Sequence, residues 1–167
     1  QESKGIEEDL IFQPTRQWQI LTSFAHNNEE VTSSATPSTI GQSVPFHTNN
    51  LYAILTKYTF SDGPLKGLYI GAGAHGGSQQ LQDYQADPVS GKLVARYYDT
   101  PWRVQAFGGY HYKIWGYNTL LQVNLDNLTA APDYVGWKAT GSPTKLATVG
   151  YKVPNPATFN VTLGLDF

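Results

Sequence analysis

Apolar and polar residues alternate one by one along the last segment of the chain. Residues 159, 161, 163, 165 and 167 are Phe, Val, Leu, Leu and Phe, whereas the intervening positions are Asn, Thr, Gly and Asp. A period of two residues is typical of a β-strand with one apolar and one polar face. The segment is therefore predicted to be such a strand, and it ends at Phe167.

The same alternation recurs along the chain and predicts an all-β, antiparallel, up-and-down arrangement. Most of these segments are longer than the 5 to 6 or so residues usual for strands of soluble proteins. A tilted strand that crosses a membrane needs about 9 to 11 residues, so these lengths favour a transmembrane β-barrel. Seven strands are expected, at residues 3–13, 16–31, 46–60, 66–77, 101–113, 116–128 and 156–167.

The predicted connections alternate in length. Residues 13–17, 61–64 and 113–116 form short links rich in Pro, Asp and Gly, whereas 32–45, 78–100 and 129–155 are long and polar. Every second link of a meander lies on the same side, so the short links share one side and the long links the other. Barrels of the bacterial outer membrane have short periplasmic turns and longer extracellular loops. We therefore expect a multi-pass protein of the cell outer membrane with a periplasmic C-terminus.

Aromatic residues concentrate at the strand ends beside the short links. Such residues form girdles at the membrane interfaces of β-barrels, although aromatic residues also favour strands in general. We expect a girdle of Trp18, Tyr58, Phe60, Tyr110, Tyr112, Trp115 and Tyr117.

Composition and motifs argue against other classes of protein. The net charge is −2 and only 14% of residues are charged, so no basic surface predicts nucleic-acid binding. The chain has no Cys, and its four His show no metal-binding spacing. Gly71 to Gly76 matches a dinucleotide-binding pattern, but no amphipathic helix pattern follows it. We expect no enzyme activity, cofactor or metal, and we assign these glycines to a strand that makes room for bulky neighbours.

Two features of the sequence do not fit a complete barrel. Glu8 has the same parity as Ile6, Leu10 and Phe12, and a carboxylate on a lipid-facing surface is unfavourable. A β-bulge or a position near the membrane interface would explain it. Seven is also an odd number, whereas bacterial barrels have an even number of strands. We therefore expect the chain to be the C-terminal arc of a larger barrel.

Several segments, in order, resemble the barrel of TonB-dependent outer-membrane receptors, most of all the ferric-siderophore branch. The final strand ending in Phe167 is also similar to this family. Departures are Thr129-Ala130, where the family often has Phe-Asp, and an additional segment at residues 145–155. The segments with the resemblance are Lys4–Glu7, Pro14–Ala25, Val44–Phe60, Leu65–Gly73 and Trp115–Leu128.

The resemblance implies that residues 1–167 are the C-terminal part of a receptor barrel of about 22 strands. The plug domain, the TonB box and the N-terminal strands would then belong to the rest of the protein. Such a receptor takes up a scarce ligand, most often a ferric siderophore, with energy from the TonB complex. Its other expected partners are outer-membrane lipid and the barrel-assembly machinery, which would recognise the terminal strand through Phe167.

Aromatic residues of the long connections are candidate ligand contacts, because aromatic rings stack well on catecholate and sugar groups. They are Tyr84, Tyr97, Tyr98, Tyr134 and Trp137, with packing within the loops as the alternative. The alternative for the whole chain is a self-contained, soluble β-barrel binding protein. That alternative requires a closed barrel or a second sheet, around an apolar interior.

Overall fold

The computed structural model describes residues 1–86, 89–91, 93–129, 135–142, 145–152 and 156–166. For residues 135–142 and 145–152 it describes the backbone only. The described residues contain eleven strands and two short 3-10 turns, at Pro37–Thr39 and Gly63–Leu65. None of their segments is a helix that is long and apolar enough to cross a membrane. The strands are β1 (Glu2–Phe12), β2 (Trp18–Glu30), β3 (Asn50–Thr59), β4 (Leu68–Gly77), β5 (Gln80–Ala86), β6 (Leu93–Tyr98), β7 (Arg103–Ile114), β8 (Tyr117–Asp126), β9 (Val135–Ser142), β10 (Lys145–Lys152) and β11 (Thr158–Asp166).

Seven strands form one antiparallel sheet in the order β1-β2-β3-β4-β7-β8-β11. Each strand pairs with the next main strand along the chain, so the sheet is a meander. This confirms the seven predicted strands and their order. β5 pairs with β6 and β9 with β10 in two separate hairpins, within connections that the sequence analysis treated only as long and polar.

The strand register places nearly all the alternating apolar residues on one side of the sheet, because residues paired across an antiparallel ladder share a face. We call this side the apolar face and the other, mixed side the polar face. The apolar face includes Ile6, Leu10, Phe12, Trp18, Ile20, Phe24, Tyr52, Ile54, Tyr58, Leu68, Ile70, Val104, Tyr110, Tyr112, Tyr117, Leu121, Val123, Leu125, Phe159, Val161, Leu163 and Leu165.

The sheet does not enclose a hydrophobic core. Within the described part of the chain, the only large hydrophobic residues that are buried are Tyr69 and Leu81, at 6% and 2% exposure. Ile6, Phe159 and Leu163 on the apolar face are 70%, 73% and 62% exposed. The first and last strands of the sheet do not pair with each other either. The described strands are thus an open sheet, without the closed barrel that the soluble alternative requires.

The two ends of the sheet differ as the connection lengths predict. At one end β1–β2, β3–β4 and β7–β8 are joined by short links, and we call this the short-turn end. Trp115 and Gly116 form the last of these links, and their φ values of +51° and +90° are those of a type I′ hairpin turn. The opposite, long-connection end carries the β2–β3 link and both separate hairpins.

Glu8 lies on the apolar face without a bulge. The register between β1 and β2 runs without interruption from Glu2↔Glu30 to Phe12↔Ile20, and Glu8 pairs with Phe24. Of the two explanations for this carboxylate, the bulge is therefore wrong. The other explanation, a position near the membrane interface, stays a prediction.

Candidate functional site

The expected girdle residues lie at the short-turn end. Trp18 pairs directly with Tyr58 across β2 and β3. The ring of Phe60 meets that of Tyr58 edge to face, with centroids 5.0 Å apart. Trp18 Nε1 also donates a hydrogen bond of 2.8 Å to Thr56 Oγ1, so the indole is held along the apolar face.

The remaining girdle residues surround the β7–β8 turn. Tyr110 and Tyr112 stack with centroids 5.5 Å apart. Tyr117 follows the turn and pairs with Ile114. Trp115 lies in the turn itself and is 94% exposed. The structure thus places these side chains in two clusters and one turn.

A second aromatic row crosses the apolar face toward the long-connection end. Phe24 stacks on Tyr52 with centroids 5.4 Å apart, and Tyr52 stacks on Trp102 with centroids 6.2 Å apart. Trp102 lies over Gly76, whose missing side chain leaves room for the indole. The sequence analysis did not single out this row, although Trp102 has the parity of Val104 and Ala106 and directly precedes their strand.

Glu8 adjoins one end of this row, because it is the register partner of Phe24. Its carboxylate therefore lies level with the second aromatic row rather than midway between the two aromatic levels.

The polar face carries a cluster built on glycines of β4 and β7. The ring of Tyr69 lies over Gly109, and the ring of Phe107 lies over Gly71. A Cβ at either glycine would collide with the neighbouring ring. The two glycines therefore let aromatic side chains lie flat on the sheet, as the sequence analysis inferred for the first of these strands.

Hydrogen bonds fix this cluster. The hydroxyl of Tyr69 donates to Gln122 Oε1 at 2.6 Å, and Gln122 Nε2 donates to Asn124 Oδ1 at 2.8 Å. Lys57 Nζ lies 4.7 Å from the centroid of the Tyr69 ring, within the range of a cation–π interaction. The polar face thus has a satisfied polar network at its centre.

The long-connection end is tied together by the β2–β3 link. His47 Nε2 lies 2.8 Å from the main-chain oxygen of Asn27 and His47 Nδ1 lies 3.8 Å from Glu29 Oε1. The main chain of Phe46 and His47 exchanges hydrogen bonds of 2.7 and 3.2 Å with Leu81 in β5. The link therefore joins the end of β2 to the β5–β6 hairpin.

The β5–β6 hairpin presents two tyrosines on one side. Tyr84 in β5 pairs with Ala95 in β6, and Tyr97 follows Ala95 by two residues in β6. The side chains of Tyr84 and Tyr97 therefore share a face. Tyr97 is 56% exposed. Arg96 binds Asp83 on the other face. Burial raises the pKa of Tyr98 above its ordinary value.

Three other predicted site residues lie partly or wholly outside this description. Tyr134 and Phe167 are outside the described residues. Trp137 belongs to β9 and pairs with Gly150, and its side chain is not among those described. In the part of the chain that is described, no cluster of three or more His, Asp or Glu residues has the arrangement of a metal site.

Comparisons with known proteins identify the fold. No protein-family model matches the chain. No curated protein matches it. Among solved structures, it is similar to P. aeruginosa FpvA in an iron complex with a heterologous pyoverdine, with a TM-score of 0.63 and 17% identity. It is also similar to FpvAI in complex with pyocin S2, with a TM-score of 0.64 and 16% identity.

These likenesses cover 96% of this chain but only 19% of each of the two proteins. The chain therefore has the fold of a segment that is about a fifth of the length of those two proteins. At this level of identity the comparison establishes the fold alone.

Proposed function

We propose that residues 1–167 are the C-terminal arc of the β-barrel of a TonB-dependent outer-membrane receptor. The barrel would have about 22 strands and would take up a ferric siderophore. In this proposal the apolar face contacts lipid, the polar face lines the barrel interior, and the long-connection end is extracellular.

The observation that carries the proposal is the exposed apolar face. Seven strands in unbroken order turn their apolar residues to one side, and the described residues bury almost no large hydrophobic side chains. An apolar surface of this extent needs a cover, because monomers in water rarely expose large contiguous apolar patches. A bilayer covers a sheet of this kind when its backbone groups are paired, as they are in a barrel.

Two further observations support the family. The segments that resemble TonB-dependent receptors occur on the strands where the resemblance expects them. The structural neighbours were solved with an iron–pyoverdine complex and with pyocin S2, and pyoverdine is a siderophore. We therefore favour a ferric siderophore as the ligand, with the tyrosines of the β5–β6 hairpin as contacts.

The proposal is tested with the complete gene product. Cells that lack the gene and cells that express it are starved of iron and given radioactive iron bound to pyoverdine or to a catecholate siderophore. We expect the protein in the outer-membrane fraction and uptake only in the expressing cells. Recovery of a folded, soluble monomer from the aqueous fraction would support the soluble binding protein instead.

Two variants and a matched control locate the ligand contacts. Tyr84→Ala and Tyr97→Ala alter the hairpin at the long-connection end, whereas Tyr117→Ala alters the short-turn end. We expect the first two to weaken siderophore uptake by about tenfold each, the upper part of the range for loss of an aromatic contact. Equal uptake in all three variants would place the ligand elsewhere.

A further inference from the structure

A groove of about 350 Å³ lies on the apolar face beside the second aromatic row. It is lined by the three stacked aromatic side chains and by aliphatic and small polar residues. Glu8 is its only charged lining residue. The lining residues used below are Glu8, Leu10, Phe24, Tyr52, Ile54 and Trp102.

The carboxylate of Glu8 has no hydrogen bond or ion pair within the described part of the chain. Two other acidic residues of β1 do have partners. Glu2 binds Lys4 at 2.8 Å, and Asp9 accepts a hydrogen bond of 2.6 Å from Ser23. Glu8 is thus a carboxylate without a bonded partner, on a face that is mostly apolar.

The geometry points to a binding site for the ammonium group of a membrane lipid. We infer that a lipid with a positively charged amine in its headgroup places that amine between Glu8 and the ring of Phe24, and its chain along Leu10 and Ile54. This inference rests on the proposed function, because it requires the apolar face to lie in a bilayer.

Charge and aromatic chemistry select this occupant. A carboxylate attracts a cation, and the faces of aromatic rings bind ammonium groups through their negative quadrupole. Tyr52 occupies one flank of Phe24, and Glu8 is the register partner on its other flank. An anionic lipid headgroup would be repelled by Glu8, so the site discriminates by charge.

The experiment uses the full-length receptor reconstituted into bilayers of an uncharged digalactosyl lipid, whose headgroup carries no cation. Brominated phosphatidylethanolamine or brominated phosphatidylglycerol, with identical acyl chains, is added as a quencher of Trp102 fluorescence. The contribution of the other tryptophans is subtracted with a Trp102→Phe variant. We expect phosphatidylethanolamine to quench Trp102 more effectively by about two- to fivefold, the range for a cation on an exposed ring.

Glu8→Gln keeps the shape of the side chain and removes its charge, so it should abolish this preference. Glu7→Gln is the matched control, because the adjacent residue lies on the polar face and should leave the preference unchanged. Equal quenching by both lipids, or a preference that persists in Glu8→Gln, would overturn the site. If neither lipid quenches Trp102, the apolar face does not lie in the bilayer, and the proposed function itself fails.

Discussion

The indole ring of Trp102 lies against the α-carbon of Gly76. A Cβ at that glycine would come within 2.8 Å of Trp102 Cδ2. Gly76 lies in β4, and Trp102 directly precedes β7, the strand that pairs with β4. The indole also stacks on Tyr52. The absence of a side chain at residue 76 therefore allows the second aromatic row to extend over β4.

Gly76→Ala should displace Trp102 from this row. The added methyl group overlaps the ring, and overpacking costs about 1 to 3 kcal/mol when neighbours shift only in part. We expect a lower midpoint of thermal unfolding for the full receptor in detergent, with a weaker near-ultraviolet circular dichroism signal from the aromatic row.

Gly164→Ala is the control for this substitution. The nearest atom to a Cβ at Gly164 is Leu120 Cβ at 3.7 Å, an ordinary van der Waals distance. This variant should unfold at nearly the wild-type temperature. Equal shifts of the unfolding temperature in the two variants would mean that the effect comes from replacing a strand glycine in general, and not from a clash between residue 76 and the indole.

Tyr69→Phe should destabilise the polar face. The substitution removes the 2.6 Å hydrogen bond and leaves Gln122 Oε1 without its donor. Loss of one such bond costs about 1 kcal/mol, and more when the remaining group stays buried. The measurement is the urea midpoint of the receptor, compared with that of Tyr97→Phe, which changes a tyrosine that is 56% exposed. A smaller decrease in the urea midpoint for Tyr69→Phe than for Tyr97→Phe would contradict the expectation that the hydrogen bond from Tyr69 to Gln122 stabilises the sheet.

A charge placed on either face of β11 tests which face meets lipid. Leu163 lies on the apolar face opposite Leu121, and the adjacent Thr162 lies on the polar face opposite Gln122. An arginine at the bilayer midplane of a barrel costs about 2 to 4 kcal/mol on the lipid side.

We therefore expect Leu163→Arg to lower the amount of heat-modifiable, folded receptor in outer membranes, and Thr162→Arg to have little effect. The reverse order would mean that the polar face is the one in contact with lipid.

The main sheet was predictable because its strands obey one simple pattern. Phe159 to Leu165 alternates without interruption, and the register shows that each of the seven strands contributes its apolar residues to the same side. The boundaries differ by a few residues at turns. The third strand was expected from residue 46, but Phe46 has a φ of +65° and the strand begins at Asn50.

The β5–β6 hairpin was not predictable in this way. Its pairing shifts between Leu81 and Asp83, so a bulge at Gln82 changes the parity of the strand. Leu81 and Tyr84 consequently share a face although their numbers differ in parity. The β9–β10 hairpin has two such shifts. A search for strict alternation therefore misses both hairpins.

Trp102 and Glu8 illustrate what sequence alone leaves undecided at the candidate sites. The parity of Trp102 places it on the apolar face, but only the fold shows that it crosses Gly76 to reach Tyr52. The parity of Glu8 places a carboxylate among apolar residues, and only the uninterrupted register between β1 and β2 excludes a bulge as the reason. Contacts across strands depend on register, which the sequence of one strand does not specify.

His47→Ala should loosen the long-connection end. The imidazole is held between the main-chain oxygen of Asn27 and the carboxylate of Glu29, and its own main chain is bonded to Leu81. Without the side chain, the β2–β3 link loses one of its contacts with β2, whereas main-chain hydrogen bonds such as that from Val44 N to Glu29 O remain. We expect faster proteolysis within residues 31–49 of the full receptor in intact outer membranes, by about fivefold for the loss of one hydrogen bond worth about 1 kcal/mol.

His75→Ala is the matched control for His47→Ala. His75 lies on β4 within the main sheet, opposite Arg103, and has no part in the β2–β3 link. Its substitution should leave cleavage of residues 31–49 unchanged. Because opening of the link precedes cleavage, the rate reports the local free energy of opening when reclosure is fast. Equal protection in the wild type and in His47→Ala would show that the main-chain hydrogen bonds of the link, to β2 and to Leu81, hold it without the imidazole.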